Sequence, residues 1–162
     1  MNEDEFWVMI EAAWSGADES GARALLLDDD QREEVAFELA EPMEQMMERL
    51  RETLDGMEQS RLLAFDRVME RLMYRIDRAE IQAVTDGSDD GFEYARAFVV
   101  ACGRAYYALV DGDPSKAVCD AELDGFAWIA VSALEERFGE SAWTRSDISR
   151  ASCTNADGWP ET

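Results

Sequence analysis

Histidine is absent from this sequence, and its absence removes whole classes of chemistry at once. No Ser-His-Asp triad, Cys-His dyad or histidine-ligated metal site can be assembled from the chain alone. Carboxylate-bridged di-iron bundles, which draw on Glu-x-x-His, are excluded with them. Cysteine is scarce. Cys102, Cys119 and Cys153 are odd in number, lack metal-site spacing and read as reduced thiols of a cytoplasmic protein. No apolar run reaches membrane length, and no charged start leads into an apolar export segment. Basic residues are few: 15 Lys and Arg face 37 Asp and Glu, a net charge of −22. Such a surface repels nucleic acid and anionic membranes, and it favours a basic protein or a cationic peptide as partner.

What is present points to one helical domain. The 162 residues are 47% apolar, enough for a single core and too short for two comfortable ones. Asn2 and Glu5 have capping-box spacing, and Phe6, Ile10, Ala13 and Trp14 follow on one helical face. After "SGADESG" and the short piece "ARALLL", Asp30 and Glu33 offer a second capping box. From there to Leu54 runs a stripe of Val35, Leu39, Met43, Met46, Leu50 and Leu54, with Pro42 expected to kink or split it near residues 38–41. Residues 58–84 carry the clearest stripe, Leu62, Phe65, Met69, Leu72, Ile76, Ala79 and Ala83. Another stripe runs from Phe92 through Ala95, Val99, Cys102 and Tyr106 to Leu109, and a last helix is expected over about 124–138. The expectation is an all-α single-domain bundle of about five main helices over residues 1–140. Residues 141–162, rich in Ser, Thr and Asp and without period, read as an irregular, loosely attached C-terminal tail.

Three sets of residues are candidate sites. The first is "DGSDDGFE" at 86–93, where two metal patterns overlap. Asp86, Ser88, Asp89, Asp90 and Gly91 fit the start of an EF-hand loop, but position 12 falls on Ala97 and loses the bidentate ligand. Asp89, Asp90 and Glu93 have the spacing of a Mg²⁺-diphosphate motif, yet a second such motif is missing and the chain is half the length that chemistry uses. The simpler role is an N-terminal cap: Ser88 accepts from first-turn N–H groups, and the helix dipole favours Asp89 and Asp90. No metal or cofactor is therefore expected. The second set is Arg67, Arg71, Arg75 and Arg78, a basic face that can hold an anion or pair with neighbouring glutamates. Residues 61–84 hold 4 acids against 5 bases, so this helix alone escapes the surrounding acidity. The third is the carboxylate row of Glu34, Glu38, Glu41, Glu48 and Glu52.

Several segments resemble a bacterial family known as domain of unknown function 4240. Phe6, Trp7 and Ile10 resemble its first helix, and Leu63, Phe65 and Tyr74-Arg75-Ile76-Asp77 its central one. The closest likeness is Ser88, Asp89, Asp90, Gly91, Phe92, Tyr94, Arg96 and Phe98, followed by "ALVDGDPSKA" and "FAWIAVSALEERFG". The likeness spans roughly residues 3–14 and 58–138, and it departs at Arg78 and Gly87. It implies an all-α bacterial protein and no assigned activity. With charge so one-sided and no catalytic constellation, the expected function is a non-catalytic, cytoplasmic interaction protein. It would present the Glu34–Glu52 face to a basic partner, as an immunity protein or antitoxin does. The rival is an enzyme or small-ligand binder. It would use Ser88, Asp89, Asp90, Glu93 and Arg96, with the arginine face holding an anionic substrate and Mg²⁺ optional.

Overall fold

The computed structural model describes residues 1–85 and 87–159, with the backbone alone at Asp89. Its described residues form eight α-helices joined by loops and short 3₁₀ turns, with no strand. In order they are α1 (Glu3–Trp14), α2 (Arg32–Glu38), α3 (Ala40–Asp55), α4 (Gln59–Arg75), α5 (Ala79–Thr85), α6 (Asp89–Ala101), α7 (Arg104–Gly112) and α8 (Ile129–Phe138). A 3₁₀ turn over Phe126–Trp128 runs directly into α8.

Helix α4 is the axis of the bundle, packing against α1, α6 and α8, while α3 lies against α1 and α8. The apolar stripes account for this arrangement. Leu62, Phe65, Met69 and Leu72 of α4 are buried, as are Phe6 and Ile10 of α1 and Met43, Met46 and Leu50 of α3. The Phe6 and Phe65 rings meet at 4.7 Å, and Trp7 and Tyr107 at 5.3 Å, tying α1 to both α4 and α7. Rings of this size dominate the area removed from water and so set which faces meet.

The expected five main helices become eight because three of them break. The first break falls at Leu39, where Pro42 has no N–H to offer the Glu38 carbonyl. The second separates α4 from α5 at residues 76–78. There Asp77 turns inward and Ala83 is left exposed, with Ile81 and Thr85 buried in its place. The third lies at Cys102–Gly103, where Gly103 adopts φ +94° and ψ 173°, a region that residues with a Cβ rarely enter.

Helix starts follow the expected capping in two places and not in a third. Asn2 Oδ1 accepts the Glu5 N–H at 2.8 Å, and Ser88 Oγ accepts the Gly91 N–H at 3.1 Å. The Asp30 capping box does not form: α2 begins after Gln31 with no side-chain cap, and Asp28 Oδ1 instead accepts the Asp30 N–H. The tail also differs from its expected looseness. Residues 142–159 are irregular but docked against α4, with Arg150 and Asn155 buried. A Cβ on Gly158 would collide with the Asp77 carbonyl and the Arg78 side chain.

Gly103→Ala tests the third break. The new Cβ would lie 2.5 Å from Glu11 Oε1 and 2.6 Å from Arg23 Nη1, on a backbone that costs roughly 1–3 kcal/mol for a non-glycine residue. The expected result in urea unfolding is a loss of at least that size, with the helix content of the folded baseline unchanged.

Candidate functional site

The start of α6 is an acidic surface. Ser88 and Asp90 are exposed, Glu93 is half-buried, and Asp86 and the Asp89 side chain lie outside the described residues. A Cβ on Gly91 would sit 2.6 Å from Glu122 Oε1, so a further carboxylate already lies against this helix start. The charge of Asp124, then burial, then the charges of Asp90, Glu93 and Glu122 push the Tyr94 hydroxyl above its ordinary value. An anionic ligand here meets repulsion. Among the described residues no three His, Cys, Asp or Glu side chains converge as a metal-binding group.

Arg96 does not join this surface. It projects into the core, fully buried, and donates to the carbonyls of Met73 at 3.1 Å and Arg150 at 2.7 Å and to Ser152 Oγ at 3.2 Å. Burial pulls it below the ordinary arginine value, while the charges of Asp77 and Glu93 act in the opposite sense. Glu93 accepts the Trp128 indole N–H at 2.8 Å.

The arginine face of α4 is dispersed among protein partners. Arg67 pairs with Glu70 at 2.7 Å, Arg75 with Glu3 at 3.1 Å and Arg78 with Asp111 at 3.6 Å, while Arg71 is exposed. Three separate carboxylates on three elements take these guanidiniums, so they do not converge on one anion.

The structure instead assembles a buried charge cluster where α4 meets residues 142–159. Asp66 and Glu70 lie one turn apart on α4, at 1% and 3% exposure. Arg150, at 2% exposure, ion-pairs with Asp66, lies 3.7 Å from Glu70 and donates to the Ala127 carbonyl at 2.8 Å. Its guanidinium stacks 4.6 Å from the Trp128 ring. Trp143 donates its indole N–H to Asp66 at 3.0 Å, and Ser146 donates to Glu70 at 2.9 Å. Arg67 donates to the Thr144 carbonyl.

Asp77, fully buried at the α4–α5 break, gathers the second half of the segment. Its carboxylate accepts the backbone N–H groups of Cys153, Thr154 and Asn155 at 3.0, 2.7 and 2.9 Å. It also accepts the Trp159 indole N–H at 3.1 Å. One donor of the cluster is left over: Arg150 Nε is buried and, among the described residues, has no hydrogen-bond partner, a cost of about 1–3 kcal/mol.

The family of proteins of unknown function DUF4240 matches residues 1–140. The chain belongs to this family. No curated protein and no solved structure matches the chain. Asp66, Glu70, Asp77 and Arg96 thus belong to the DUF4240 region, whereas Arg150, Trp143, Trp159 and the backbone groups they bind lie beyond it.

Two hollows complete the surface of this DUF4240 protein. The larger, about 700 Å³, opens between α1, the 3₁₀ stretch Ala22–Leu27 and α7, over Trp14, Leu27, Ala105 and Tyr106. Arg23 closes one side, held by Glu11 at 2.6 Å and stacked on Trp14 at 4.9 Å. The smaller, about 240 Å³, lies between α2–α3 and the Asp120–Leu123 loop, lined by Ala36, Phe37, Met43, Phe98 and Leu123. Neither hollow was visible in the sequence, because each is lined from segments far apart along the chain. Asp66, Glu70 and Asp77 could be placed on one helix, but nothing in their spacing indicated burial. Among the described residues no helix is long and apolar enough to cross a membrane.

Removing one partner of a buried ion pair typically costs about 3–5 kcal/mol, because the other charge stays desolvated. Arg150→Ala is therefore expected to lower the unfolding free energy by about that amount. Asp66→Asn added to it should recover part of the loss, since the stranded charge disappears. Urea unfolding of the two single variants and the double variant checks both statements.

Proposed function

We propose that this DUF4240 protein is a non-catalytic acidic binding protein whose α2–α3 face receives a basic protein partner, in the manner of an immunity protein or antitoxin. One observation carries the reading. Glu34, Glu38, Glu41, Glu48 and Glu52 are all exposed, and among the described residues none of them is in an ion pair, whereas seven of the fourteen arginines have a carboxylate partner. Beside this row Phe37 is 59% exposed at the lip of the smaller hollow, with Glu44, Asp120 and Glu122 on its rim. An apolar recess within a ring of like charge suits a basic surface with one apolar anchor: the charge speeds encounter and the recess slows dissociation.

A second reading, a small-ligand binder, is favoured by the 700 Å³ hollow rather than by the α6 start. Its mixed rim of Glu11, Asp18, Arg23 and Arg104 over an apolar floor suits a compact organic molecule. Thermal melting against a metabolite panel separates the two readings. A ligand-specific rise that disappears in Ala105→Trp supports the second, while a rise given equally by any salt reports only relief of self-repulsion.

For the first reading, reversing Glu34, Glu38, Glu41, Glu48 and Glu52 to Lys is expected to slow association with a basic partner by ten-fold or more at low salt. Dissociation should change less. Surface plasmon resonance at two ionic strengths reads both rates against a basic ribonuclease-type toxin panel. Unchanged association across the panel would sink the reading.

A further inference from the structure

The segment 142–159 meets the DUF4240 region in the way a peptide meets a receptor groove. It contains no α-helix, and its one short 3₁₀ turn ends as it begins. Part of its main chain is satisfied by side chains of the domain: Asp77 takes three consecutive N–H groups, and Arg96 and Arg67 donate to the carbonyls of Arg150 and Thr144. Asn155 returns one bond to the Tyr74 carbonyl, and Ala79 donates its N–H to the Gly158 carbonyl at 3.0 Å. Contacts to main chain read backbone shape whatever its sequence, and the shape here is turned, with Cys153 at φ +63°. Selectivity then rests on one deep side-chain slot, formed by Asp66, Glu70, the Ala127 carbonyl and the Trp128 ring and filled by Arg150. Trp143 flanks that slot on Asp66, while Trp159 is held separately on Asp77.

We propose that this groove is a binding site for a turn-forming, arginine-bearing peptide segment of another protein, and that residues 142–159 occupy it in cis as a stand-in for that ligand. Three features support exchange over a purely architectural role. All five charged residues that shape the groove, Asp66, Arg67, Glu70, Asp77 and Arg96, come from the family-matched region, and the occupant does not. The occupant fits imperfectly: among the described residues Arg150 Nε has no hydrogen-bond partner in its buried position. It is tethered through Phe138, Gly139, Glu140 and Ser141, all exposed, with Gly139 at φ +88°, so the segment can leave without dismantling α8. A planar guanidinium between two carboxylates and an aromatic face is a geometry that lysine cannot reproduce, so the ligand is defined as arginine-bearing and not merely basic. The inference stands apart from the α2–α3 reading, which uses different residues.

The test keeps the full chain. A protease recognition sequence is inserted at Gly139–Ser141, the protein is cut after folding, and the released fragment is exchanged against a fluorescent peptide of residues 143–159. Fluorescence anisotropy is expected to show binding, and the same peptide with Arg150→Ala or Arg150→Lys should bind at least about ten-fold more weakly. A display library of unrelated peptides selected on the cut protein should then enrich arginine with a nearby aromatic residue. Those peptides should bind the uncut protein far more weakly. Lysine reversal of Glu34, Glu38, Glu41, Glu48 and Glu52 should leave this binding intact, so failure here and failure of the α2–α3 reading are distinguishable. The proposal is overturned if the cut protein loses its circular-dichroism helix signal when the fragment is removed. Enrichment of peptides without arginine, or of none that displaces the fragment, would overturn it equally.

Discussion

A guanidinium withdrawn from water between two carboxylates is the interaction on which the rest of this structure turns. Asp66 and Glu70 sit on the central helix at positions where α8 and the C-terminal segment exclude solvent. A carboxylate in such a place is tolerable only when a cation and further donors compensate its lost hydration. Arg150 supplies the cation, and Trp143, Ser146 and Arg67 supply donors. The consequence is that the docked position of the irregular segment is dictated by the charges it neutralises.

Asp77 extends the same logic to the backbone. Had α4 continued unbroken into α5, this carboxylate would have remained on a helical flank. The break at residues 76–78 turns it inward, where three N–H groups of an irregular segment find an acceptor. Buried N–H groups must be paired, and a segment without helix or sheet partners must obtain its pairing from side chains. The helix break and the docked segment are therefore two sides of one solution.

The remaining charges divide by location. Arginines facing neighbouring helices meet carboxylates from α1, from the end of α7 and from α4 itself, and these pairs register the helices against one another. Glutamates on α2 and α3 face only solvent, and that asymmetry motivates reading this face as the place where a cationic surface would settle. Much of this was visible beforehand. The stripes of α3 and α4 could be read directly, because burial at every third or fourth residue is a local property of a helix. The Ser88 cap was equally legible, since a cap is a relation between neighbours. Arg96, by contrast, which the sequence offers beside Ser88 and Glu93 as a candidate for holding an anionic ligand, lies in the core. The helical phase that placed Phe92 and Val99 inward did not reveal that the core at that point would be lined with carbonyls able to take its donors.

The sequence by itself determined the all-α class, the apolar faces, the break near Pro42 and the acidity of the outer surface, because each depends on residue type and on spacing within one or two turns. Only the tertiary structure decided which charges left water, where the second and third breaks fell, and what became of residues 142–159. Those outcomes depend on groups brought together from positions 66, 77, 96 and 150. The free energy of a charge is set by the dielectric and the partners around it, and no local pattern encodes a partner 84 residues away.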